Sequence, residues 1–172
     1  ALRARCSLQH LELLSVKQVQ DRHAAAPCLM RVRARLLRAL PANPLLWTTC
    51  EAPAAPGPAG VGVVAGAPPT TRFTYRMVLQ LEDAETQQVW LGALLYAEQA
   101  AEFFGGVGLP PTDLRTDAAS LGRLQDVVRS LCASSALLAL GLVSFRPDPA
   151  DKSENGVAYR IVRSNLAAAP AV

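Results

Sequence analysis

The chain has 172 residues, 51% of them hydrophobic and 5% aromatic, with 17 basic against 14 acidic side chains and a formal charge of +3. That length suits one domain, or one domain with an insertion, and can bury ~70% of its extended surface without a disulfide or metal staple. A charge surplus this small argues against a strongly basic nucleic-acid binder, which concentrates its cations on one face.

The chain begins at Ala1 without a methionine, which predicts a fragment of a longer protein. From Ser7 to Ala24, Leu8, Leu11, Val16 and Val19 are spaced as an apolar tether, and residues 1–27 are assigned to it. From Cys28 to Leu40 the pattern alternates, with Met30, Val32, Ala34 and Leu36 on one side and Arg31, Arg33 and Arg35 on the other. Period two predicts a half-buried strand, stopped at Pro41 and Pro44 because proline cannot donate to the ladder. Leu45 to Cys50 suits a short strand. Residues 52–71, APAAPGPAGVGVVAGAPPTT, are too poor in large side chains for a core and predict a flexible insertion at 51–71.

Phe73, Tyr75, Met77, Leu79 and Leu81 alternate with Thr74, Arg76, Val78, Gln80 and Glu82, the clearest strand in the chain. A turn over Asp83 to Gln87, without the usual glycine, leads to a returning strand with Val89, Leu91, Ala93 and Leu95 facing inward. A short helix over Ala97 to Phe104 ends at Gly105-Gly106. A second starts near Asp117 as N-cap, with Leu121, Leu124, Val127, Val128 and Leu131 on one face. Ala136 to Phe145 and Val157 to Val162 are the last strands, separated by the polar DKSENG turn. Five strands with helices between the third and fourth is the order of the oligonucleotide-binding (OB) barrel. The expected fold is therefore all-β with accessory helices, a five-stranded barrel over residues 28–166, with 167–172 as a tail.

No catalytic constellation is present. His10 and His23 lie near no candidate nucleophile, and Glu82 and Asp83, adjacent in a strand, point to opposite faces. Asp83 is better suited to accept backbone hydrogen bonds in the turn. Gly60 to Gly66 and Gly105 to Leu109 lack the lysine and hydroxyl of a phosphate loop. Cys6, Cys28, Cys50 and Cys132 form no CxxC pair, so no zinc site, and no other metal or cofactor, is expected. Ala133 to Val143 is too short to span a bilayer, and no membrane association is expected.

The stretch FTYRMVLQLEDAETQQVWLGALLYAEQAAEFFGG, Phe73 to Gly106, resembles the C-terminal OB domains of the replication protein A large subunit and of the protection-of-telomeres family of shelterin proteins. CSLQHLELLSVKQVQDRHAAAPCLMRVRARLLRALP resembles the approach to that family's third OB domain. LGRLQDVVRSLC resembles its helix before the fourth strand, and GVAYRIVRSNL its closing strand. Two departures stand out. The family's zinc ribbon between the first two strands would begin at Cys50, but Pro53 occupies the partner position; and the chain has no room for the family's inserted nuclease-like domain. The resemblance implies a nuclear protein at chromosome ends. Telomeric single-stranded DNA would be held mainly by other domains of the parent protein, while this domain docks the shelterin bridging subunit.

Two site readings follow, beside the plainer one of a structural OB domain in another complex. On the third strand Trp90, Leu94 and Tyr96 face outward while the inward side is also apolar, which predicts a covered or partner-binding face. The alternative is direct single-strand binding through Arg31, Arg33, Arg35 and Arg76, weighed against their being an ordinary solvated strand face. Against that alternative, Phe73 and Tyr75 fall inside by alternation and Trp90 falls outward, and one stacking platform is few for a direct binder.

Overall fold

The computed structural model describes residues 8–22, 26–51, 71–105, 107–151, 153 and 156–164. Among the described residues there are seven strands: β1 (Leu13–Leu14), β2 (Cys28–Leu40), β3 (Thr48–Glu51), β4 (Arg72–Asp83), β5 (Trp90–Tyr96), β6 (Leu138–Phe145) and β7 (Ala158–Ser164). The helices are α1 (Val16–Asp21), α2 (Ala97–Gly105) and α3 (Ala118–Ala133).

β2 organises the barrel because its 13 residues serve two partners. Cys28 to Ala34 pair antiparallel with β6, and Ala34 to Leu40 pair antiparallel with β4. A bulge at Leu36/Arg38 separates two registers of the second ladder; the extra residue bends a strand and increases its twist. β4 and β5 form an antiparallel hairpin, β6 and β7 another, and a short parallel pairing of β5 with β7 completes the ring. The closed barrel of β2, β4, β5, β7 and β6 is the OB architecture expected from the sequence. β1 and β3 are additions, β1 parallel to β2 and β3 antiparallel to the start of β4.

The core follows the alternation. Met30, Val32, Ala34 and Leu36 from β2, Tyr75, Met77, Leu79 and Leu81 from β4, and Leu91, Ala93 and Leu95 from β5 are all buried. Leu140, Leu142, Tyr159 and Ile161 complete the lining. On α3, Leu124 and Val128 are buried while Leu121, Val127 and Leu131 pack partly against the core. Asp117 caps this helix as expected, accepting from Ser120 N–H at 2.9 Å. α3 packs against β2 and the turn at Pro44–Leu46, α2 against β4, β5 and β7.

Element boundaries differ from expectation at several places, of which these bear on the barrel. Leu45 to Cys50 is not one strand: Asn43 caps a single 3-10 turn over Pro44–Leu46, and pairing starts only at Thr48. The sixth strand starts at Leu138 instead of Ala136, and the seventh at Ala158 instead of Val157. In each case the run of apolar residues continues past the end of the ladder. In the β4–β5 turn, Gln88 takes the left-handed φ of 78° that glycine would normally supply. The proposed insertion falls largely in 52–70, outside the described residues, as do His23, Cys6 and the tail.

Candidate functional site

The N-terminal segment reaches the barrel at three places. A β-carbon on Gly141 of β6 would run into the Leu8 side chain, so the bare glycine lets the segment cross closely. Leu13 and Leu14 then pair alongside Arg31 and Val32. α1 follows, with Val16 and Val19 fully buried against β2, β4 and β5. Ser15 closes a capping box with Gln18 at its start.

Asp83 fixes this end of the barrel. One carboxylate oxygen accepts Lys17 N–H at 3.0 Å from the first turn of α1, and the other accepts Glu85 and Thr86 N–H, each at 2.9 Å. Burial alone would raise this carboxyl; the Lys17, Thr86 and Glu85 N–H groups outweigh it and hold it down at about 2. The turn role was legible in the sequence. The link to α1, across 66 positions, was not, because no local pattern marks a long-range acceptor.

The outward side of β4 and β5 alternates against this core. Glu82 lies opposite Trp90, Gln80 opposite Gly92, Val78 opposite Leu94 and Arg76 opposite Tyr96. Trp90 is 54% exposed, with its carbonyl accepting from the Gln20 side chain at 3.0 Å, so α1 reaches this end of β5 without covering the indole. Leu94 and Tyr96 are half-buried. The three residues thus share a face but not one spot.

Leu94 lines a groove of about 870 Å³ at the other end of that face. The groove lies where the β2 ladder on β4 stops at Leu40 and the β3 ladder begins at Thr48. Between them the chain loops out, and Trp47 tucks its ring into the core with its indole N–H donating to Pro41 O at 2.7 Å. Leu40, Leu46, Phe73, Val78 and Leu94 supply apolar lining. Arg76 of β4 and Arg115 of the α2–α3 loop supply charge, together with Asp113. The loop is anchored by Tyr75, whose hydroxyl donates to Leu109 O and Pro110 O at 3.1 and 3.3 Å; burial pushes its pKa up to about 12. This groove was not visible in the sequence, since its walls come from four separate segments.

The four arginines fall into two groups. Arg33 pairs with Glu85 at 3.3 Å and Arg35 with Glu82 at 3.9 Å, beside Asp83. Arg31 is half-buried between β1 and β6. Arg76 is exposed, with no ion-pair partner among the described residues. No cluster of three or more potential metal ligands occurs among the described residues, and no helix there is long and apolar enough to cross a membrane.

No protein-family profile and no curated protein matches this sequence. Solved structures do. A chain in the crystal structure of fission yeast Pot1 and Tpz1 superposes with a TM-score of 0.63 at 11% identity, covering 88% of this chain and 90% of that one. A chain of a replication protein A heterotrimer bound to single-stranded DNA superposes with a TM-score of 0.50 at 16% identity, covering 90% of this chain. This chain spans only 36% of that longer one. At these identities the likeness is one of fold, and the fold is the OB barrel.

Proposed function

We propose that this chain is a non-catalytic, protein-docking OB module of a telomeric single-strand-binding protein. It would act at chromosome ends in the nucleus and bind the shelterin bridging subunit in telomere protection and telomerase regulation. The observation that carries the reading is the outward face of β5, where a tryptophan stands 54% exposed and Leu94 opens into a groove. Exposed apolar side chains and an open apolar groove on one strand face point to interface surface, and tryptophan is enriched among the anchor residues of interfaces. The near full-length likeness to a chain of the Pot1 and Tpz1 structure supports the choice of partner class.

Trp90, Leu94 and Tyr96 are the proposed contact residues. The test is capture of the purified bridging subunit by the wild-type chain and by Trp90→Ala, with a thermal melt of each. Loss of capture with a little-changed melting temperature supports the site. A loss of several kcal/mol of stability would make Trp90 a packing residue instead.

The second reading, direct single-strand binding, rests on Arg31, Arg33, Arg35 and Arg76 and on the replication protein A likeness. Two of the four arginines already face carboxylates, which weakens it. Titration with telomeric and scrambled oligonucleotides distinguishes the two. The docking reading expects weak binding without sequence preference, falling steeply with salt; tight, telomere-selective binding at physiological salt would favour the second.

A further inference from the structure

The groove and the strand beside it carry an inference about how a partner is held. It rests on the docking reading and adds a partner chemistry. Among the described residues β3 is the terminal strand in the sheet order, paired there with β4 on one side only. Three consecutive residues of it, Thr48, Thr49 and Cys50, line the groove. Successive strand side chains point to opposite faces, so three in a row at one groove means that the strand presents its edge there. An unpaired edge offers main-chain donors and acceptors to an added strand.

The groove sets two arginines, Arg76 and Arg115, against one carboxylate, Asp113, which accepts Arg115 N–H at 3.1 Å and keeps its charge. Arg76 and Arg115 are exposed and have no ion-pair partner among the described residues. The same groove is lined by Phe73, Val78 and Leu94. A segment that fits brings carboxylates to the rim and apolar side chains to the lining, in the alternating pattern of an extended strand.

We infer that the groove takes a short acidic–apolar segment of the partner protein, added as a strand along the edge of β3 that is unpaired among the described residues. Thr48–Glu51 is only four residues long, so the added strand is equally short and the rest of the affinity comes from side chains in the groove.

The probe is a capped 12-residue peptide of alternating leucine and glutamate, titrated into the full chain at physiological salt. An alternating leucine–lysine peptide and a 12-nucleotide oligothymidine serve as controls. Expected is saturable binding of the Leu–Glu peptide alone, with new hydrogen-exchange protection at the amides of 48–51. Binding should weaken about tenfold or more in R76E/R115E, as reversed rim charges oppose an acidic ligand. N-methylating alternate peptide residues should abolish binding in one phase and spare it in the other, a readout that uses only the wild-type chain. No saturable binding, equal binding of the Leu–Lys peptide, or protection elsewhere on the barrel overturns the inference. Displacement by the oligothymidine, or self-association that excludes the peptide, would assign the groove to nucleic acid or to a second copy and also overturns it. If the bridging subunit binds and R76E/R115E leaves its affinity unchanged, the docking reading stands and the groove inference fails; if the subunit does not bind at all, the docking reading itself fails.

Discussion

Asp83→Asn probes the tie between the N-terminal segment and the barrel. The wild-type side chain is 1% exposed and its two oxygens accept three backbone N–H groups at 2.9–3.0 Å. Asparagine has nearly the same shape but keeps one acceptor oxygen and puts an NH2 where the other stood. If the amide oxygen stays on Glu85 and Thr86, the NH2 meets Lys17 N–H, donor against donor. Two routes size the loss. Holding the carboxyl at about 2 instead of 3.8 corresponds to ~2.5 kcal/mol in favour of the folded, charged form at neutral pH. Loss of one charge-assisted hydrogen bond costs ~1.5–3 kcal/mol. The variant should therefore lose ~2–3 kcal/mol at pH 7. A carboxyl lowered in the folded state stabilises fully above its unfolded value and progressively less as pH falls through its folded value. The gap between wild type and variant should close between pH 5 and pH 2, because protonated aspartate resembles asparagine. Urea unfolding midpoints across that range measure it. A gap below ~0.5 kcal/mol at pH 7, the level of an ordinary surface change, or one unchanged at pH 2.5, refutes the reasoning.

Other consequences are smaller or simpler to read. Tyr75→Phe removes the hydroxyl bonded to Leu109 O and Pro110 O and should cost ~1 kcal/mol in urea unfolding. In the wild type, tyrosinate absorbance from this ring should appear only as pH approaches 12, and the stability tied to the neutral phenol should be present below pH 10 and decline toward 12. Gly141→Leu should destabilise by ~1–3 kcal/mol through overpacking against Leu8, with Gly141→Ala milder; a wild-type melt for the leucine variant would mean that the segment does not cross there. Metal analysis and melts with and without chelator should show neither stoichiometric zinc nor a shift, since no CxxC pair exists. Trp90→Ala and Leu94→Ala lie four strand positions apart, ~13 Å, so their effects on partner binding should add within ~0.5 kcal/mol; strong coupling would mean that one partner group touches both.

Most of the barrel was legible because β2, β4 and β5 bury one face, and burial on one side writes period two into the sequence, while β6 could be read as an apolar run bounded by loops. Asp117 could be read as a cap because its partner is three residues away. Trp47, β1 and β3 could not be read so easily. Trp47 is buried between proline-rich stretches with no alternation around it, and β1 is two residues long, beneath any periodic signal. The position of the N-terminal segment depended on an absent side chain, Gly141, and glycine within a strand does not announce what lies over it. Trp90, Leu94 and Tyr96 were grouped correctly by face, but position along the strand separates them: alternation reports which side a residue occupies and nothing about which end of the barrel it serves.

That separation divides the outward side of the hairpin into two environments. At the Asp83 end Glu82 faces Arg35, Glu85 faces Arg33, and α1 packs close by, so charge is balanced within the chain. Gly92 lies between the ends, opposite Gln80, where a β-carbon would come within 3.2 Å of Val78 Cγ1. At the Tyr96 end, Arg76 points out beside an open apolar lining with no carboxylate assigned to it. A polynucleotide would draw on cations spread along the face together with exposed rings, and here the exposed indole sits at the end where the arginines are already paired. A protein segment needs only one apolar anchor point and a few complementary charges close together. The groove end of β4 and β5 supplies both, and for that reason the distribution of paired and unpaired arginines favours a protein ligand more than the total charge of the chain could.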